Sequence, residues 1–371
     1  MSLRVQEMMN IMDELAPPYL AVENDAIGLQ IGDPQAEVKN IITTLDVDED
    51  TIKEARERDA NLIISHHPLI FSPLSSIDYS DPKGKLIKEI IHNNMNIFVA
   101  HTNLDVTSKG VNDLLCQILD ISAEDILTTT YRDDFLKLVV FIPYDYLESV
   151  REALSEAGAG WIGNYSHCTF STEGTGTFLP LENTNPFQGE KGRLEKVQEY
   201  RLETIFPLSL KNSIISALLE SHPYEEPAYD LYLLHQQGIL RGLGRTGALE
   251  VPVTLQELAL RCKQSLDTHA VRYWGDANRQ IERVALCGGS GGNLISEAYK
   301  KGADVLISGD FKYHDVDFAY SIGLALIDAV HYATEYPIVP WLASYLKEKL
   351  QERGFTAGVH PVKGGSRENI I

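Results

Sequence analysis

Three pairs of side chains that could hold a metal or move a proton recur along the chain, each directly after a short apolar run: His66 and His67 in ISHHP, His101 and Asp105 in HTNLD, His331 and Glu335 in HYATE. Imidazole nitrogen and carboxylate oxygen without thiolate suit Zn²⁺, Mn²⁺, Fe²⁺ or Co²⁺. Five of these side chains, His66, His67, Asp105, His331 and Glu335, cannot saturate two ions, which leaves positions for water or substrate. Two ions about 3.5 to 4 Å apart are a standard arrangement for activating water. Each pair also has a plainer reading. Two adjacent histidines form hydrogen-bonded loops. Asp105 can bond its own turn or cap a helix starting near Val111. Glu335, behind Thr334 as N-cap and with Pro337 in the first turn, can simply compensate a helix dipole. Convergence changes the balance, because all three pairs end strands that one sheet edge would gather.

Other loops share that position. CGGSGG, with Gly288, Gly289, Ser290 and Gly291, stands between a strand and a helix, where backbone N–H groups cradle phosphate or simply turn the chain. Asp310, Lys312 and His314 in SGDFKYH fall near the same edge. Ser65 and Ser290 are loop serines, but neither lies in G-x-S-x-G, which argues against a serine triad.

The elements that must position these residues follow an α/β grammar. VKNIITTLDV, NLIISHHP and NIFVAHTNLD read as strands separated by helices, and the C-terminal third repeats the pattern in IERVALCGGSGG, DVLISGDFKYH and LALIDAVHYATE. Setting NLIISHHPL against DVLISGDFK, and NIFVAHTNLD against ALIDAVHYATE, predicts a distant duplication whose halves form one sheet with a pseudo-two-fold. Ligands gather beyond the carboxyl ends of such strands. Residues 127–234 read differently, as βαββαβ, the ferredoxin-like order. The division is therefore a discontinuous core of 1–126 plus 235–371 around an inserted domain of 127–234. Insertion of such a block costs little in loop closure.

Composition sets outer limits. The chain has 371 residues, 44% of them hydrophobic, and carries a net charge of −21. Acidity of that degree disfavours nucleic acid and anionic membrane surfaces as partners. The four cysteines, Cys116, Cys168, Cys262 and Cys287, form no C-x-x-C pair, so neither a disulfide scaffold nor a zinc knuckle is expected, and a reducing cytoplasm fits. No apolar run reaches the roughly 18 residues of a membrane span. Leu3, Met8, Ile11, Met12 and Leu15 have the spacing of a core-facing helix.

With these residues set out, the chain resembles the NIF-three family, also catalogued as GTP cyclohydrolase I type 2. The resemblance is carried by NDAIGLQIGD, LIISHHPLIF, AHTNLD, LCGGSGG, ADVLISGD and HYATE, and in the middle block by FIP, GNYSHCTF, GTGTF and HPYEEPAYD, which look like the PII-like insert of longer bacterial members. It implies a di-metal site with His66 and His331 on one ion, His67 and Asp105 on the other, and Glu335 bridging. It also implies a toroidal homohexamer. Two functions stay open. One is a metal-dependent hydrolase, most concretely activating water against C8 of a purine nucleotide such as GTP, with His101 or His314 moving protons. The other is a metal-loaded scaffold or regulator whose insert senses a small ligand or docks a protein partner.

Overall fold

The computed structural model describes residues 2–364. Its backbone divides into two compact units, one running up to Tyr131 and resuming at Arg241, the other spanning Arg132–Leu240. The boundaries differ from the sequence division at 127 and 234, because one long strand runs unbroken through residue 127.

The first unit begins with α1 (Val5–Leu15), β1 (Gly28–Ile31), β2 (Asn40–Thr44), α2 (Glu49–Glu57), β3 (Leu62–Ser65), α3 (Pro82–His92), β4 (Asn96–Val99), α4 (Thr102–Val106), α5 (Val111–Ile118) and β5 (Ile121–Asp133). The second unit holds β6 (Phe135–Pro143), α6 (Leu147–Glu156), β7 (Thr169–Phe178), β8 (Glu195–Pro207), α7 (Lys211–Ser221) and β9 (Tyr229–Leu233). The first then resumes with β10 (Ile239–Thr254), α8 (Leu255–Ser265), β11 (Arg272–Trp274), β12 (Gln280–Ser290), α9 (Ile295–Lys300) and β13 (Val305–Gly309). It closes with α10 (Tyr313–Ser321), β14 (Ala325–Asp328), α11 (His331–Glu335), α12 (Ile338–Glu352) and β15 (Gly358–Pro361).

Local chemistry explains these boundaries. β3, β4 and β14 are buried at every position, as strands covered on both faces must be. The Asp48 carboxylate caps α2 by accepting from the Thr51 amide, Asp81 precedes Pro82 at the start of α3, and Thr254 with Glu257 forms a capping box on α8.

The expected single sheet is in fact two. One has the order β1-β4-β3-β2-β15 and the other β11-β14-β13-β12-β10-β5. In the first, β2, β3 and β4 run parallel with β1 antiparallel at the β4 edge; in the second, β12, β13 and β14 run parallel with β11 antiparallel at the β14 edge. The duplicated pieces thus each keep a covered sheet of their own. α1 and α12 lie on one face of the first sheet and α2 and α3 on the other. The second sheet is packed by α5 and α8 on one face and by α9 and α10 on the other.

The second unit is an antiparallel sheet in the order β7-β8-β6-β9. Leu138, Val140 and Ile142 alternate toward α6 and α7, where they meet Val150, Leu154, Ile214 and Leu218. Val139 and Phe141 therefore point to the opposite face of the sheet. Among the described residues, no helix is long and apolar enough to cross a membrane.

Candidate metal centre

The strand ends of both halves of the first unit supply one cluster. After β3 the amides of His66 and His67 still donate to the carbonyls of Thr44 and Leu45, so the ladder runs two residues past the strand and stops at Pro68, which has no N–H to give. β4 leads straight into α4, which carries Asp105, and β14 leads into α11, which carries His331 and Glu335. Val330, the joint between β14 and α11, has φ 68°, a costly conformation for a β-branched residue and one that marks a functional turn.

Glu335 lies at the centre. Its Oε2 is 2.8 Å from His67 Nε2 and 3.1 Å from His331 Nε2, while its Oε1 is 3.7 Å from His66 Nε2. Asp105 Oδ1 stands 3.6 Å from the same His66 nitrogen. Among the described residues, His66, His67 and Glu335 have ligand atoms close enough together to surround one ion. By these pairwise distances His66 lies with Asp105 toward Oε1 of that carboxylate, and His67 with His331 toward Oε2. The resemblance pairs these residues differently, His66 with His331 and His67 with Asp105. Side-chain exposure follows the same division, at 1% for His66 and 12% for Asp105 against 24% for His67 and 33% for His331, so the second group faces the approach from solvent.

Each histidine is held from behind through Nδ1. His66 reaches the Ala100 carbonyl at 2.9 Å, His67 the Asp46 carboxylate at 3.1 Å and His331 the Asp310 carboxylate at 2.7 Å. A partner on Nδ1 fixes the ring and makes Nε2 a better donor to a metal. Asp46 and Asp310 are thus oriented as outer supports. Asp310 is expected at this edge from the sequence; Asp46 is not, since its pairing with His67 exists only in three dimensions.

The electrostatics favour a cation. Burial opposes charge on His67, but hydrogen bonds to Asp46 and Glu335 raise it to about 10. The Glu335 hydrogen bond, working against burial, raises His331 to about 9. Burial opposes charge on His66 as well, yet Asp105 and Glu335 raise it. Burial raises Asp105 to about 6 with help from the nearby Glu335 charge. Glu335 is itself held well below its usual range by the three histidines despite its burial. His66 Nε2 and Asp105 Oδ1 are buried and lack any hydrogen-bond partner. Two such atoms turned toward one another, in a set of nitrogen and oxygen donors, fit a divalent ion. Burial and the charges of Asp105 and Glu335 push the thiol of the nearby Cys287 up.

Several local expectations change. Asp105 sits inside α4, and Gly110 precedes α5, so Asp105 does not cap that helix. Glu335 ends α11 instead of opening a helix, and Pro337 precedes α12. Thr334 accepts from the Gly289 amide and donates to the His331 carbonyl, a tie between α11 and the glycine segment in place of an N-cap. In that segment the Gly288 amide donates to Asn112 Oδ1 and the Gly291 amide to the Gly309 carbonyl, while Ser290 pairs with Gly309 in the sheet. These amides are engaged within the protein. Gly289, at φ 71°, lies where a Cβ would collide with Glu335 Oε1, so its smallness gives the carboxylate room.

His101 joins the cluster and His314 does not. The His101 ring centre is 5.3 Å from that of His66 and 6.0 Å from that of His67, and its Nδ1 lies 2.8 Å from Asp25. Asp25 also accepts from the amide and hydroxyl of Thr102; these bonds outweigh its burial and lower it to about 2. Nothing in the sequence ties Asp25 to His101, although it stands in the NDAIGLQIGD segment. His314 is exposed on α10 and stacks edge-on against Tyr313, 5.4 Å away.

The family model described as Duf34/NIF3 (NGG1p interacting factor 3) matches residues 3–364. A GTP cyclohydrolase 1 type 2 homolog of Bacillus subtilis is 47% identical over 332 residues, covering 90% of this chain and 89% of the relative. One from Halalkalibacterium halodurans is 44% identical over 347 residues, covering 94% and 92%. The crystal structure of a Bacillus cereus protein related to NIF3 superposes over all of both chains with a TM-score of 0.95 at 41% identity.

Proposed function

The chain belongs to the Duf34/NIF3 family, and from that footing we propose that it is a di-metal protein acting as a metal-dependent hydrolase on a nucleotide or a related small molecule. The observation that carries the metal reading is the facing pair of buried, unpartnered atoms, His66 Nε2 and Asp105 Oδ1. His66, His67, Asp105, His331 and Glu335 would hold the two ions, with Glu335 shared between them and His66 and His67 serving different ions. Divalent ions there would supply Lewis acidity and water reactive near neutral pH.

The remaining work falls to the chain's own residues. Asp25 holds His101 through Nδ1 and leaves the other ring nitrogen to give or take a proton at the cluster. Asp46 and Asp310 keep His67 and His331 turned inward on the side nearer solvent, where substrate enters. The relatives' name brings a purine nucleotide as the first substrate to try.

The second unit, we propose, is the ferredoxin-like insert. Its chain order is βαββαβ with the two inner strands in sequence flanking one side of the antiparallel sheet, the spatial order 4-1-3-2 expected of that topology. A toroidal homohexamer is proposed from the resemblance, to be checked by light scattering. Protein loaded separately with Zn²⁺, Mn²⁺, Fe²⁺ or Co²⁺ and incubated with a panel of purine nucleotides tests the activity. Turnover abolished by Asp105→Ala supports a hydrolase; no turnover in any combination favours the scaffold.

A further inference from the structure

The second unit contains a concavity of about 610 Å³ on the sheet face opposite α6 and α7. Two motifs that the metal centre leaves unused build it, GTGTF on β7 and HPYEEPAYD before and into β9. Gly174 and Gly176 alternate onto this face opposite Glu199 and Val197 of β8. No atom lies within 4 Å of where a Gly174 Cβ would stand, so the floor is open there, whereas a Cβ at Gly176 would collide with the Glu199 carboxylate.

Aromatic rings form the wall. Tyr224 has Phe178 on one side and Phe187 on the other, each with its ring centre 6.1 Å away. Glu199 is 7% exposed and accepts from the Tyr224 hydroxyl at 2.9 Å. Among the described residues no lysine or arginine pairs with it, and Arg201, which also lines the concavity, is paired with Glu203. A buried carboxylate without a cationic partner is costly unless a cation arrives from outside. Glu173, Glu225 and Glu226 stand around the same opening, and the unit as a whole is acidic. Aromatic faces beside a carboxylate are the surroundings in which ammonium groups bind.

We propose that this concavity is a binding site for a small organic cation, an amine or quaternary ammonium group carried on an apolar body. The charged head lies against Glu199 and the rings, and the body extends over Gly174.

Calorimetric titration of the full chain with benzyltrimethylammonium, and with phenylacetate as an anion of similar size, tests it. Saturable binding of the cation is expected, with phenylacetate silent. Glu199→Gln should weaken binding at least about tenfold, since the charge on that carboxylate is the chief attraction. Gly174→Leu, whose Cβ meets no neighbour and whose side chain enters the open floor, should abolish binding while leaving the unfolding transition unchanged, and it serves should the Glu199 variant fail to fold. No binding of the cation, equal binding of phenylacetate, or binding indifferent to Gly174→Leu would each overturn the proposal.

Discussion

His66 Nε2 and Asp105 Oδ1 face each other across 3.6 Å, both shut off from solvent and neither hydrogen-bonded. A protein that left them so with nothing between would carry the desolvation cost of both. They stand on two different strand ends, the His66 ring backed by the Ala100 carbonyl and the Asp105 main-chain carbonyl held by the Asn112 amide, an arrangement that fits the proposed metal centre.

Glu335 is the one residue that both groups share. Glu335→Gln keeps the shape but removes the charge that offsets two dications at close range. The variant should fold and lose at least one metal ion per chain, measured by elemental analysis after metal loading; unchanged content would return Glu335 to a purely structural role.

The outer carboxylates act through the histidines. Asp310→Asn and Asp46→Asn should each lower metal affinity by about 10- to 100-fold, with the loss falling on the ion held by His331 or by His67 respectively. Competition against a chelator measures this. Equal weakening of both ions would argue against separate groups.

Much of the site was legible in the sequence because it is local. An apolar run that stops at ISHHP, HTNLD or HYATE marks a strand end without knowledge of its neighbours, and the internal duplication aligns β3 with β13 and β4 with β14. In that alignment His101 and Asp105 correspond to His331 and Glu335, and both pairs fall on short helices after a strand. What could not be read depends on distant partners. Asp25 and Asp46 look like ordinary loop acids until folding brings them against His101 and His67, and the pairing of ligands about Glu335 is set by side-chain directions that spacing does not encode. The one-sheet expectation failed for a related reason, since each repeat covers its own sheet with helices before and after it.

Asn112 illustrates a residue with no local signature. Wholly buried, it donates to the Asp105 carbonyl at 2.8 Å and accepts from the Gly288 amide at 3.0 Å, tying α4 to the glycine segment behind Glu335. Asn112→Ala leaves both groups unsatisfied and should cost about 3 kcal/mol in urea unfolding, with metal affinity falling alongside. A loss below about 0.5 kcal/mol, the scale of a neutral surface change, would show the tie to be dispensable.

His222 sets a pH response in the second unit. Its Nε2 donates to the Phe141 carbonyl at 2.9 Å and its Nδ1 accepts from the Tyr224 amide at 3.1 Å, an arrangement only the neutral ring can make. Burial lowers its pKa in the fold, outweighing the Phe141 bond. The unfolded chain therefore binds the proton more readily, and stability from this group is present above the ordinary imidazole value of about 6.5 and lost as the pH falls below it. Unfolding of wild type and His222→Gln at pH 7.5 and 5.5 should show the wild-type advantage shrinking in acid; an advantage that grew in acid would contradict the neutral assignment.

The most direct measurement of the central claim is anomalous diffraction from crystals of the metal-loaded wild-type chain, beside His66→Ala and His67→Ala crystals treated identically. Two peaks per chain are expected in wild type, one beside His66 and one beside His67, both within reach of Glu335, with each variant losing the peak on its own side. A single peak, or the same peak emptied in both variants, would contradict a two-ion centre divided about Glu335.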